Sequence, residues 1–257
     1  MPLPIRVIRG LSDPRRIATC AAWWDAADST TVFSGSDGTG SVSSGGTVGH
    51  WVNKAASNAA TQATLNNRPR WDTGVRNGLP ALFFDGDNDG LEYATSLQPA
   101  NSGSMTIFAV VQKSAHTGSR GTILTERKSA AVCTLQAGML VSSQYNVYSD
   151  GASSIAGVAA SVADLMLSWC VIEATHVVGS RLALAVNRTS RTVSSLFGDG
   201  NCKALSGSAG GRIGYREGSV GQWMTGYIGE LIVYSSDIGS AAKTAVNQYL
   251  SAKWGVA

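Results

Sequence analysis

The sequence predicts an all-β fold in which two antiparallel sheets pack face to face and one short α-helix closes the chain. Three observations predict it. Charged residues make up only 14% of the 257 residues, against roughly 25% in an ordinary soluble protein, and 30 glycines supply turns. From Cys20 onward, short apolar runs alternate with clusters of Gly, Ser, Asn and Asp, which is the spacing of a sandwich or barrel. The stretch from Ser240 to Gly255 alone has a capped helical pattern.

Residues 1–20 have a character of their own. Pro2, Pro4 and Pro14 prevent a regular helix, and Arg6, Arg9, Arg15 and Arg16 stand against a single Asp13, so the segment reads as an extended basic anchoring arm before a domain at 21–257. Ser34 to Gly49 and Ser149 to Ala160 read as surface loops. Strands are expected from Met105 to Val111, Gly121 to Thr125, Ala131 to Leu135, Leu165 to Ala174, Arg181 to Val186 and Tyr227 to Tyr234. Their loose alternation suits strands covered on both faces. In the helix, Ser240 is the expected N-cap and Gly255 the C′ residue. Ala242, Val246, Tyr249, Leu250 and Lys253 share one side, so the helix should lie flat and close an edge or end of the sandwich.

Composition also excludes classes of function. A net charge of +3 without a basic stripe among aromatics argues against a nucleic-acid partner. No run approaches the roughly 18 apolar residues of a membrane span, and the first residues lack a secretory signal, so the expectation is cytoplasmic synthesis without membrane insertion. The four cysteines, Cys20, Cys133, Cys170 and Cys202, lie too far apart for structural zinc. Cys133 and Cys170 read as small buried hydrophobes, and Cys202, beside Lys203, as an exposed thiol able to cross-link subunits.

An ordered set of short motifs runs through the chain. It comprises Trp23 or Trp24 with Asp25 and Asp28; Trp51, Asn53 and Lys54; Asn58 to Gln62; Arg68-Pro69; and Gly78 to Gly86 leading into Asp87-Asn-Asp-Gly90. Val186-Asn187, Arg212-Ile213-Gly214 and the ending from Tyr227 to Gly255 complete it. The set resembles the laminin-G-like, concanavalin A-like jelly rolls of phage and bacterial surface proteins, over residues 20–257. The resemblance implies a jelly-roll topology and a role in contact with other molecules, with calcium bound by some relatives.

Several constellations carry candidate chemistry. Asp85, Asp87 and Asp89 before Gly90 spell the start of a calcium loop whose twelfth position, Ser96, offers no bidentate carboxylate. A tight hairpin turn between Leu82-Phe-Phe84 and Leu91-Glu-Tyr93 is the leading reading, and calcium is the alternative. Glycoside hydrolysis needs two opposed carboxylates, and the nearest spelling is Asp87-Asn-Asp-Gly-Leu-Glu92. Glu230, within an apolar strand, reads as the partner of an arginine such as Arg212. His50, His116 and His176 stand alone, so no catalytic set is assigned. Tyr145, Tyr148, Tyr215 and Trp223 lie in turn-rich segments and are the candidates for stacking on sugars.

From these readings the expected protein is a non-enzymatic virion component of a tailed phage or phage-like particle. It would be a capsid decoration or tail fibre, held by its arm to other virion proteins, exposed on the virion surface and touching host-surface polysaccharide. A homo-oligomer, with a trimer as the guess, goes with that reading. The alternatives are a polysaccharide-degrading glycoside hydrolase on the same fold and a bacterial adhesion module.

Overall fold

The structure is a computed structural model and describes residues 13–97, 104–113, 121–129, 132–140, 144–151, 154–161, 167–180, 182–192, 194–197, 210–216 and 222–256. The strands are β1 (Cys20–Asp25), β2 (Val32–Phe33), β3 (Gly46–Thr47), β4 (His50–Trp51), β5 (Ala60–Thr61), β6 (Arg70–Arg76), β7 (Leu79–Asp85) and β8 (Leu91–Tyr93). There follow β9 (Met105–Lys113), β10 (Gly121–Ser129), β11 (Val132–Leu140), β12 (Gln144–Gly151), β13 (Ser154–Ser161) and β14 (Cys170–His176). The last are β15 (Ala183–Val186), β16 (Thr189–Ser190), β17 (Ser194–Phe197), β18 (Gly211–Ile213) and β19 (Thr225–Tyr234), before helix α1 (Gly239–Trp254).

They form two antiparallel sheets. One has nine strands in the order β16-β15-β14-β9-β19-β7-β6-β3, with β1 also paired to β19. The other has ten, ordered β17-β13-β12-β11-β10-β18-β8-β5-β4-β2. The predicted all-β sandwich with a C-terminal helix is therefore the observed fold.

Two apolar layers hold it together. Ile107, Ala109 and Val111 of β9 face the inter-sheet core with Cys170, Ile172, Leu231 and Val233, while Phe108 and Val110 face outward with Val171, Ile232 and Tyr234. The outer layer is buried by Val246, Leu250 and Trp254 of α1. This is why the central strands read as near-continuous apolar runs in which neither face is polar. The helix thus covers a face of the nine-stranded sheet, where an edge or end was expected.

The helix ends also differ in part from the sequence reading. Ile238 occupies the N-cap position, and Asp237 accepts from the Gly239 amide at 3.1 Å and pairs with Lys243 at 2.7 Å. Gly255 does take the left-handed C-cap conformation, with φ 61°. Arg76 donates to the Trp254 and Gly255 carbonyls and Asn77 to the Lys253 carbonyl, so the negative end of the helix dipole meets a cation.

Two expected loops and one expected hairpin are corrected. Within Ser149 to Ala160, the chain forms the ends of β12 and β13, which pair from Gln144↔Ser161 to Gly151↔Ser154. Ser34 to Gly49 contains the short strand β3. The segments on either side of Asp85 to Gly90 belong to different sheets, β7 to the nine-stranded and β8 to the ten-stranded one, so this loop turns a corner of the sandwich. A true two-residue hairpin is Asn77-Gly78 between β6 and β7, with φ of 51° and 75°.

Residues 13–20 pack on the sandwich. Pro14–Arg16 is a 3-10 turn capped by Asp13, and the Tyr234 hydroxyl donates to the Pro14 carbonyl at 3.1 Å. Arg15 donates to both Asp13 oxygens and to the Lys54 carbonyl, with its guanidinium 5.4 Å from the Trp23 ring centroid. Arg16 is exposed on the same turn, and Arg6 and Arg9 lie outside the described residues.

Candidate functional site

The most developed polar surface lies where β8, β18 and the segment before β19 meet. Tyr215 follows β18 directly, and Trp223 enters β19. Their rings stack with centroids 4.6 Å apart and planes at 12°. Tyr215 is buried, and Trp223 is half-buried. The Tyr215 ring can lie flat because Gly90 has no side chain: a Cβ there would meet Tyr215 Cδ1 at 2.1 Å.

Charge borders the stack. Arg212 Nε donates to Glu92 Oε1 at 3.0 Å and to the Tyr215 hydroxyl oxygen at 2.9 Å, and its guanidinium sits 5.0 Å from the Tyr215 ring centroid. The Tyr215 hydroxyl donates to the same Glu92 oxygen. Burial, followed by the Glu92 carboxylate, pushes the Tyr215 phenol well above its ordinary value, so it stays a neutral donor. Glu92 and Arg212 are cross-strand partners between β8 and β18.

Glu92 continues into an open groove of ≈ 610 Å³, where it meets Ser57, Asn58, Thr61 and Thr95. Thr61 is its cross-strand partner on β5. Asn58 is held in place by Asn53 Nδ2 at 2.6 Å and by the Thr95 carbonyl at 3.3 Å. The arrangement is an aromatic platform beside a row of hydroxyl, amide and carboxylate groups, the chemistry that suits a polyhydroxylated ligand.

The other stacking candidates are placed differently. Tyr145 and Tyr148 sit within β12, where a turn-rich segment was expected, opposite Met139 and Gln136 of β11.

Residues of the recurring motifs converge elsewhere, on a buried clasp. Glu230 Oε1 accepts from Trp23 Nε1 at 2.7 Å and the Tyr249 hydroxyl at 2.8 Å. Its Oε2 accepts from Lys253 Nζ and Trp254 Nε1, each at 2.7 Å. Lys253 also reaches Asp25 at 2.6 Å, and Lys54 joins Asp25 to Asp28 at 3.3 and 2.8 Å. Asn53 accepts from the Trp23 amide and donates to the Ala21 carbonyl. Glu230 is thus partnered by Lys253, where an arginine such as Arg212 was expected. Trp23 is the motif tryptophan that joins this clasp, whereas Trp24 lies in the inter-sheet core against Trp51 and Tyr93. Burial pulls Lys253 down, but Glu230 and Asp25 reverse this and hold it above its ordinary value. Burial pushes the Glu230 carboxyl above its ordinary value, and the Lys253 cation with the Trp254 indole N–H opposes that push.

The Asp85 to Gly90 corner is built from its own carboxylates. Asp85 Oδ1 accepts from the amides of Asp87 and Asn88 at 2.9 and 3.2 Å, and Asp89 Oδ2 accepts from the Asp85 amide at 3.0 Å. Asp87 lies on the exposed rim. Burial, and then the Asp85 carboxylate, push Asp89 up to about 7. Among the described residues, no group of three or more His, Cys, Asp or Glu side chains is placed to hold a metal ion.

Glu126 is buried and accepts from the Tyr93 and Ser96 hydroxyls and the Leu97 amide. Cys170 lies in the inter-sheet core, and burial pushes the half-buried Cys20 thiol up to about 12. Cys202 and His116 lie outside the described residues, as do the side-chain surroundings of Cys133.

The fold defines a class, the two-sheet β-sandwich, and solved structures share it over almost the whole chain. A Trypanosoma rangeli sialidase in complex with the inhibitor DANA superposes with a TM-score of 0.60 at 12% identity, covering 98% of this chain and 37% of that one. The same sialidase with 2,3-difluorosialic acid as a covalent intermediate gives 0.60 at 14% identity, covering 92% and 33%. The botulinum neurotoxin serotype D ligand binding domain in complex with N-acetylneuraminic acid gives 0.56 at 7%, covering 92% and 52%. This chain therefore spans about a third of the sialidases and half of the neurotoxin chain. No family model and no curated protein matches the sequence.

These neighbours correct the expected function. The non-enzymatic virion component has no counterpart among them, since they are sialidases, which are enzymes, and a toxin's ligand-binding domain. The glycoside-hydrolase alternative fits them better.

Proposed function

We propose that this chain is a glycan-handling sandwich of the kind that glycoside hydrolases contain, and that it holds carbohydrate at the groove led by Trp223, Tyr215 and Glu92. One observation carries the reading. The half-buried Trp223 indole is fixed by its stack on Tyr215, next to a carboxylate and a row of polar side chains. A sugar ring lays its C–H face on such a ring while its hydroxyls bond the adjoining acceptors. Sialidase and sialic-acid complexes among the neighbours support carbohydrate as the ligand class.

The test is a glycan array read with the wild-type chain and with Trp223→Ala. The variant should lose about tenfold or more in affinity for the glycans bound at the groove, the worth of one stacking contact with its desolvated neighbours. Its melting temperature should change little, because Trp223 is only half-buried. Unaltered binding by Trp223→Ala would remove the groove as the site.

A second reading is hydrolysis by the sandwich itself. It is favoured by the sialidase neighbours and by Asp89, a carboxyl held near 7 three residues from the ion-paired Glu92. Most glycosidases, the sialidases excepted, use one protonated and one ionised carboxyl group. Incubating the chain with sialylated and neutral oligosaccharides should release sugar if the pair is catalytic, and Glu92→Gln should abolish that release.

A further inference from the structure

A second cleft lies on the nine-stranded sheet, between its β14-β15-β16 edge and the first turns of α1. Its volume is ≈ 250 Å³, room for a single sugar ring and too little for a chain. Glu173 and Ser190 come from the sheet, Arg188 from the β15-β16 turn, and Ser240, Lys243 and Asn247 from the helix. Glu173 and Ser190 are cross-strand partners of the same residue, Ala185, which sets them on one face of the sheet with Ala185 between them.

Asn247 marks the cleft as built for a ligand. It is only 4% exposed. Its Nδ2 donates to Glu173 Oε2 at 2.7 Å and to the Lys243 carbonyl at 3.0 Å. Both neighbours are acceptors, so the amide cannot be turned round, and Oδ1 is left without a hydrogen-bond partner. A buried acceptor in that state lacks a donor, which a bound molecule can supply once a small side-chain rotation opens Oδ1 to the cleft. Two cations stand near it. Lys243 is paired with Asp237, and Arg188 is exposed and forms no ion pair among the described residues.

The cleft therefore asks two things of one ligand. Arg188 calls for an anion, and planar Arg matches a carboxylate best. Asn247 Oδ1 and the Glu173 carboxylate call for N–H or O–H donors. Chloride or sulfate has no donors to give and would be repelled by Glu173. A neutral sugar would leave Arg188 without an anion.

From this geometry we infer that the cleft under α1 is a second carbohydrate subsite, selective for a single carboxylated sugar bearing hydroxyl or acylamino donors. It rests on the glycan-handling reading but uses none of the residues of the Trp223 groove. Residues 187 and 188 both adopt the left-handed region, with φ of 49° and 64°, which fixes the direction in which the Arg188 side chain leaves the turn.

The test is a titration of the full chain with N-acetylneuraminic acid, with its methyl ester, and with N-acetylglucosamine, followed by amide and side-chain NMR shifts. The free acid should shift the Asn247 side-chain amide. Arg188→Asn, which tolerates the left-handed turn, should weaken the acid about tenfold or more, the usual share of a charge-assisted pair. The methyl ester should bind the wild type as weakly, a comparison that needs no variant. Trp223→Ala should leave binding at this cleft unchanged. Equal affinity for acid and ester, or for wild type and Arg188→Asn, would overturn the subsite. Shifts confined to Trp223 and Tyr215 would overturn it too while leaving the glycan-handling reading standing. Silence at both places with all three sugars would remove both.

Discussion

Asp89 shows how a residue can be legible in type and illegible in state. The sequence places it in a Gly-flanked turn, and the structure keeps it there, but with 7% exposure its carboxyl is pushed from 3.8 to about 7. Between those values the folded protein holds a proton that the unfolded chain has released, so stability is full below about pH 4 and declines as pH rises toward 7. Asp89→Asn keeps a carbonyl for the Asp85 amide and has no charge to bury. It should match the wild type near pH 4 and exceed it at pH 7.5 by on the order of 1–3 kcal/mol, read by urea denaturation at both pH values. A difference that does not grow with pH would remove the buried carboxyl from this account. Glu230 teaches the converse. An acid inside an apolar strand announces a partner, but the partner lies 23 residues on, along α1, and no local pattern distinguishes Lys253 from Arg212.

At the scale of the element, β19 depends on one irregularity. The register with β9 shifts between Ile228 and Glu230, a bulge around Gly229. Without it, alternation would put Glu230 on the same side as Ile228, in the inter-sheet core. The bulge turns it to the helix side, where Lys253 and Trp254 wait. Gly229 is also the only residue that fits there, since a Cβ would approach the Trp254 ring to 2.6 Å. Gly229→Ala should therefore cost about 1–3 kcal/mol by overpacking, with a changed tryptophan emission as α1 shifts. An unaltered melting curve would count against that fit. The apolar runs of β9, β14 and β19 were readable because both their faces are buried. The Gly, Ala and Ser residues of β12 and β13 gave no strand signal, because pairing with neighbours decides there over intrinsic preference. The Asn77-Gly78 turn had a legible signal, whereas the Asp-rich corner mimicked a hairpin from which it differs only by which sheet each flank joins.

For the molecule as a whole, α1 works as a cover. It buries Phe108, Val110, Val171 and Ile232, which together would form an exposed apolar patch on the outer face. A chain ending at residue 238 should bind a hydrophobic dye and self-associate on size-exclusion chromatography, where the full chain does not. Dye-free, monodisperse behaviour of the shortened chain would show that the face needs no cover. The sandwich itself was legible from composition and punctuation. The groove was not, since Glu92 and Tyr215 lie 123 residues apart and meet only because β8 and β18 are neighbours.

The nine-stranded sheet has its last strand near its centre, with β19 joined to β1, β7 and β9. Cys20 pairs with Tyr234, so β1 cannot join its sheet until the far later β19 has been made. Until then Trp23 lacks Glu230 and β9 lacks one of its two neighbouring strands. Closure over so long a stretch of chain implies slow folding through a partly paired state prone to aggregation.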